Sequence, residues 1–163
     1  LISVENGDEL STYAVNMLGK EVEVNELERF VDIITDNRAG ESLTEALTEL
    51  LRDNGDKVKE KVLAEYSDDV FGKGNLIEIM SGMSQDDRVF KILLNELNSD
   101  ESNIALNAGY IARYGDERAI ADLEKLIEKD GISYYDFKEL KNAVEELGGE
   151  YKGSKFTSVK QIH

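Results

Sequence analysis

The chain has 163 residues and 35 acidic against 19 basic side chains, a formal charge of -16 that repels a phosphate backbone and speaks against nucleic acid as a direct ligand. A hydrophobic content of 40% is that of a globular chain able to bury a core unaided. The absence of cysteine removes thiolate metal sites, thiol nucleophiles and disulfides and suits a cytoplasmic protein, while no apolar run reaches the roughly 18 residues needed to cross a bilayer.

The sequence starts at Leu1 rather than Met, which leaves room for a preceding segment or a removed signal peptide. There is no proline, so helices must stop at Gly, Asn and Asp. Leu10, Tyr13, Ala14, Met17 and Leu18 lie at three-and-four spacing and predict a first amphipathic helix ended by Gly19. Leu27, Phe30, Val31 and Ile34 predict a second, ended near Asn37 to Gly40. Leu43, Ala46, Leu47, Leu50 and Leu51 predict a third, closed by Asp53-Asn54-Gly55, and Val58, Val62 and Tyr66 a fourth.

Residues 67–75, containing Gly72-Lys73-Gly74, are expected to be an irregular connection before a short helix through Leu76, Ile77, Met80 and Met83. Four clearer helices follow at 86–98, 102–114, 116–129 and 134–147, with Gly148-Gly149 as the stop. Only 157–162 and the pair Val22 and Val24 offer extended structure, so a parallel sheet is not supported. Short loops between helices of this length make neighbours antiparallel. The predicted class is all-α, an α-α superhelix or short α-solenoid of antiparallel hairpins with about nine helices.

Within it one stretch repeats at an interval of about thirty residues. Asp86-Asp87-Arg88-Val89-Phe90, with Leu93 and Leu97, returns as Asp116-Glu117-Arg118-Ala119-Ile120, with Leu123 and Ile127. The features Leu93, Leu97 and Asp100, then Ala105, Ala108, Ile111 and Ala112, then Gly115-Asp116 resemble the HEAT-like repeat of phycobilisome lyase subunits. The resemblance implies one HEAT-like domain over 1–150, with a divergent lead-in over 1–85 and regular repeats over about 86–150. A basic tail over 151–163 holds Lys152, Lys155 and Lys160 and no acid, and either docks on the acidic body or stays loose. Ile104-Ala105 stands where the family has Val-Arg, so a ladder of Asp–Arg pairs between repeats is not expected.

Catalytic constellations are scarce. The single histidine, His163, is the last residue, so Ser-His and Cys-His nucleophilic arrangements and zinc catalysis lack their groups. Asp86 and Asp116 stand where helix N-caps belong. The spacing around Asp130-Gly131 fails an EF-hand loop, and Gly72-Lys73-Gly74 lacks the full phosphate-loop pattern. No catalytic residue, metal or cofactor is expected.

The expected working surface is a stripe of outward positions that stacking aligns: Arg88, Ile92 and Asn95 with Arg118, Asp122 and Lys125. Ile92 either meets a partner or packs on a neighbouring helix. Tyr110 and Tyr114 either face a partner or edge the core. The expected function is non-catalytic protein binding, with another protein, of basic character, as partner and no nucleic acid or membrane. An acidic immunity or antitoxin protein that occludes a basic nuclease-type toxin is the narrower alternative, since the net charge would steer such a partner. The resemblance also implies a chromophore-lyase-like or scaffold subunit as a third possibility.

Overall fold

The computed structural model describes residues 8–18 and 21–156, which form nine α-helices and no strand. Two compact units are distinguished, Leu1–Ser84 and Gln85–His163. The first holds α1 (Asp8–Leu18), α2 (Val24–Thr35), α3 (Glu41–Asp53), α4 (Gly55–Glu65) and α5 (Lys73–Met80). In the second are α6 (Asp87–Asn98), α7 (Ile104–Tyr114), a 3-10 turn (Glu117–Ala119) running into α8 (Ile120–Ile127), and α9 (Tyr134–Glu146).

In the first unit alternate helices pack side by side: α1 on α3, α3 on α5, and α2 on α4. Successive helices also touch, α2 with α3 and α4 with α5. This is the packing of stacked hairpins, in which each helix buries one stripe against its hairpin mate and its neighbour in the stack. Leu27, Val31, Ile34, Leu43, Leu47, Leu51, Val62, Leu76, Ile79 and Met80 form the core. α2 closes at Asn37, with Asn37 N donating to Ile34 O at 3.2 Å and Arg38 N to Ile33 O at 3.0 Å. These bonds satisfy carbonyls that the helix end leaves open.

Three expectations need correction here. The buried residues of α1 are Ser11 and Val15, whereas Tyr13 and Met17 are 64% and 69% exposed. The side chain of Leu10 and residue Gly19 lie outside the described ones. Val22 and Val24 do not form a strand, because Val24 already opens α2. The connection before α5 is also shorter than expected: Lys73 and Asn75 are helical. Gly72 caps that helix at φ +77°, and a Cβ there would lie 2.9 Å from Ile34 Cγ2. Only glycine meets both demands without strain.

In the second unit α6 packs on α7 and α8 packs on α9, while the alternate pairs α7 with α9 and α6 with α8 stack. α6 and α7 begin one and two residues later than the apolar pattern suggests, because Asp86 and Asn103 are their caps, whereas α9 begins at Tyr134 as expected. Asp86, Asn103 and Ser133 accept from Arg88 N, Leu106 N and Asp136 N at 2.9, 3.1 and 3.0 Å, the bonds an N-cap supplies to free backbone donors. α9 ends at the predicted glycines, with Gly148 N donating to Glu145 O and Gly149 N to Val144 O.

The first part of the basic tail folds back on the same unit. Tyr151 donates its hydroxyl proton to Glu128 at 2.7 Å, and Lys155 Nζ donates to the Lys129 carbonyl at 3.1 Å. Phe156 sets its ring 5.0 Å from Phe137 and 5.5 Å from Tyr134. The expectations for His163, Lys160 and an extended 157–162 lie outside the described residues.

Candidate partner-binding surface

The repeated Asp-x-Arg unit builds the same device twice. Each Asp caps the helix that follows, and the Arg two residues on folds back to clasp its own cap. Arg88 reaches Asp86 through Nε at 3.1 Å and a terminal nitrogen at 2.8 Å. Arg118 reaches Asp116 in the same way at 3.0 and 2.7 Å. These are two-pronged charge-assisted bonds, which a lysine could not reproduce. The Arg118 hydrogen bonds hold the Asp116 carboxyl below its ordinary range, against the opposing effect of burial.

Arg118 does more than its counterpart. Its guanidinium also donates to Asp87 at 2.8 Å and lies 4.4 Å above the centroid of the Phe90 ring, a cation–π distance. A single Asp–Arg tie therefore joins one copy of the echo to the next, made by Arg118 at the start of the second helix and not from the Ile104-Ala105 position. Both arginines of the predicted outward stripe thus have intramolecular acids as partners.

The remaining stripe residues differ among themselves. Ile92 is half-buried, Asn95 and Lys125 are exposed, and Asp122 accepts a hydrogen bond from Asn98 at 3.1 Å. Tyr114 is buried at 5% exposure, with its ring stacked on Phe90 at 6.4 Å. Its hydroxyl accepts from Asp86 N at 2.6 Å and donates to Asp86 O at 3.0 Å, and burial pushes its ionisation upward. Tyr114 is a joint of the core.

Tyr110, one turn earlier, has the other fate. It lines a groove of about 360 Å³ with Asn103, Ala105, Leu106, Gly109, Arg113 and, from α9, Tyr135. Leu106 is 49% and Tyr135 64% exposed. Gly109 sits in the middle of α7, and beyond its own stretch of helix no atom comes within 4 Å of where a Cβ would be, so no packed neighbour in the described structure requires a glycine there. The groove contains no carboxylate side chain, in a chain where acids outnumber bases 35 to 19.

Leu106, Gly109, Arg113 and Tyr135 were not among the sequence-predicted residues. The available signals were a glycine within a helical pattern and the pair Tyr134-Tyr135 directly after a Ser cap. Among the described residues no group of three or more His, Asp or Glu is placed to hold a metal ion, and no helix is long and apolar enough to cross a membrane. No protein-family model, curated protein or solved structure matches the chain.

Proposed function

We propose that this protein is a non-catalytic binding module, built as a HEAT-like stack, that holds another protein in the groove between α7 and α9. The observation that carries the proposal is the exposure of Leu106 and Tyr135 around the open backbone of Gly109. Large side chains left in water beside a concave, carboxylate-free patch are the composition of an interface centre. Tyrosine serves there because its ring is rigid and its tip remains polar.

The net charge of -16 supports a basic partner. It is also what favours the narrower reading, an immunity or antitoxin protein that covers the cleft of a basic toxin. Affinity capture from the native host with wild type and with Leu106→Asp/Tyr135→Ala tests the proposal. Loss of a stoichiometric partner in the double variant is expected, and recovery of the same partners at the same yield would remove the groove from consideration. A partner gene adjacent to this one, encoding a basic nuclease, would select the immunity reading.

A further inference from the structure

Charge and position within α7 together select the kind of surface that covers the α7/α9 groove. Acids outnumber bases 35 to 19 in the chain, yet α7 contains no carboxylate and none lines the groove, where Arg113 is the single charged residue. The net charge steers a basic partner at long range, but inside the groove such a partner meets no acid to pair with. A surface of the groove's own kind, apolar and free of carboxylates, is the closer complement. Gly109 is the central residue of the 11 in α7, and it is exposed, with Leu106 toward one end of the helix and Arg113 toward the other.

We infer that, while no other partner is bound, a second copy of this chain covers the groove, the two α7 helices crossing antiparallel about a two-fold axis at Gly109. Such a contact sets a patch against itself, so the patch must hold no like charges close to the axis. Arg113 lies about 6 Å along the helix from Gly109, which puts the two arginines about 12 Å apart on opposite sides of the axis, beyond the screening length of about 8 Å. The bare backbone of Gly109 allows a close crossing. Leu106 and Tyr135, 49% and 64% exposed in the single chain, leave water in both copies at once. A carboxylate-free patch is also where two bodies that each carry -16 repel least. The contact is weak, because α7 is about 16 Å long and a patch of that length beside α9 falls short of the ~800 Å² per partner of a stable interface. Self-association of this strength shields the groove until a tighter partner displaces the second copy.

The inference rests on the groove being an interface and names what regulates access to it. Sedimentation equilibrium of the full chain from about 10 μM to about 1 mM should show the mass rising toward twice that of the monomer. Association should be stronger in about 0.5 M salt than in about 0.05 M, because screening removes the mutual repulsion. Leu106→Asp sets a carboxylate beside the axis in both copies and should remain monomeric. The chain has no cysteine, so Gly109→Cys supplies one thiol per copy at the crossing, where two Cα atoms come within the roughly 7 Å that a disulfide needs. Mild oxidation should link it into dimers at least tenfold faster than Asn95→Cys, an exposed position on α6. A wild type that is monomeric throughout, association that weakens with salt, or equal linking at the two positions would overturn the inference. In a monomeric wild type, loss of partner capture in Leu106→Asp/Tyr135→Ala would still uphold the binding module, whereas a dimer with undiminished capture in that variant would uphold the self-contact and remove the groove from partner binding. If circular dichroism shows that Leu106→Asp has lost its helices, Tyr135→Asp takes its place under the same criteria.

Discussion

The Tyr114 hydroxyl is bonded to both backbone polar groups of Asp86, accepting from the amide at 2.6 Å and donating to the carbonyl at 3.0 Å. One side chain at the end of α7 thereby fixes the entry to α6, the residue that is itself that helix's cap. Tyr114→Phe keeps the stacked ring and removes only the hydroxyl. We expect it to lower stability by about 1–2 kcal/mol, since the Asp86 amide is left without its partner. Urea unfolding should show a lower midpoint with an unchanged slope; an unchanged midpoint would show the two bonds to be idle.

The Asp116 pair with Arg118 sets an acid dependence. Because the folded carboxyl titrates below its ordinary value, its stabilising effect is complete above the unfolded value of about 3.9 and disappears as pH falls through the lower, folded value. Asp116→Asn, which keeps a capping oxygen but no charge, should be less stable than wild type at pH 7, by a gap that narrows as the pH falls below the unfolded carboxyl value. Unfolding midpoints from pH 7 downward measure this, and a constant gap would place the loss in geometry rather than charge.

Two glycines should respond in opposite directions to the same added methyl. Gly72→Ala forces a left-handed backbone and a contact 2.9 Å from Ile34 Cγ2, so a loss of about 1–3 kcal/mol is expected. Gly109→Ala enters open space in a helix interior and should gain about 0.5–1 kcal/mol. Thermal midpoints decide both. If the α7/α9 groove holds a partner against the Gly109 backbone, the stabilised Gly109→Ala protein should nevertheless bind it more weakly.

The ring of Phe156 closes an aromatic cluster over Phe137, which is itself 3% exposed. Phe156→Ala should open that site and cost about 1–3 kcal/mol, less than a fully buried phenylalanine because the ring is half in solvent. Hydrogen exchange of α9 amides should accelerate relative to those of α7. Unchanged protection would mean that the tail rests on α9 without supporting it.

Most helices were readable because their apolar stripes have a single phase: Leu43, Leu47 and Leu51 can point only one way. α1 was misjudged in rotation because Tyr13, Met17 and Leu18 compete with Ser11 and Val15, and the smaller set is the one buried. Periodicity identifies a helix, but it cannot choose between two apolar phases when the neighbouring surface takes small side chains. The arginines show a different limit. The spacing Asp86 to Arg88 and Asp116 to Arg118 was visible in both copies, yet a flexible side chain that turns back on its own cap leaves no mark in a helical wheel. The groove at Tyr110 combines residues from two helices, so it has no local sequence signature.

The Asp86–Tyr114 and Asp87–Arg118 bonds also bear on how fast the second unit assembles. They span 28 and 31 residues, so each closes a loop about one repeat long. The entropy of loop closure grows only slowly with length, and contacts of short sequence separation favour rapid folding. A unit tied by links of this reach has no need to bring distant ends of the chain together before its core forms, and its folding can start from either helical hairpin.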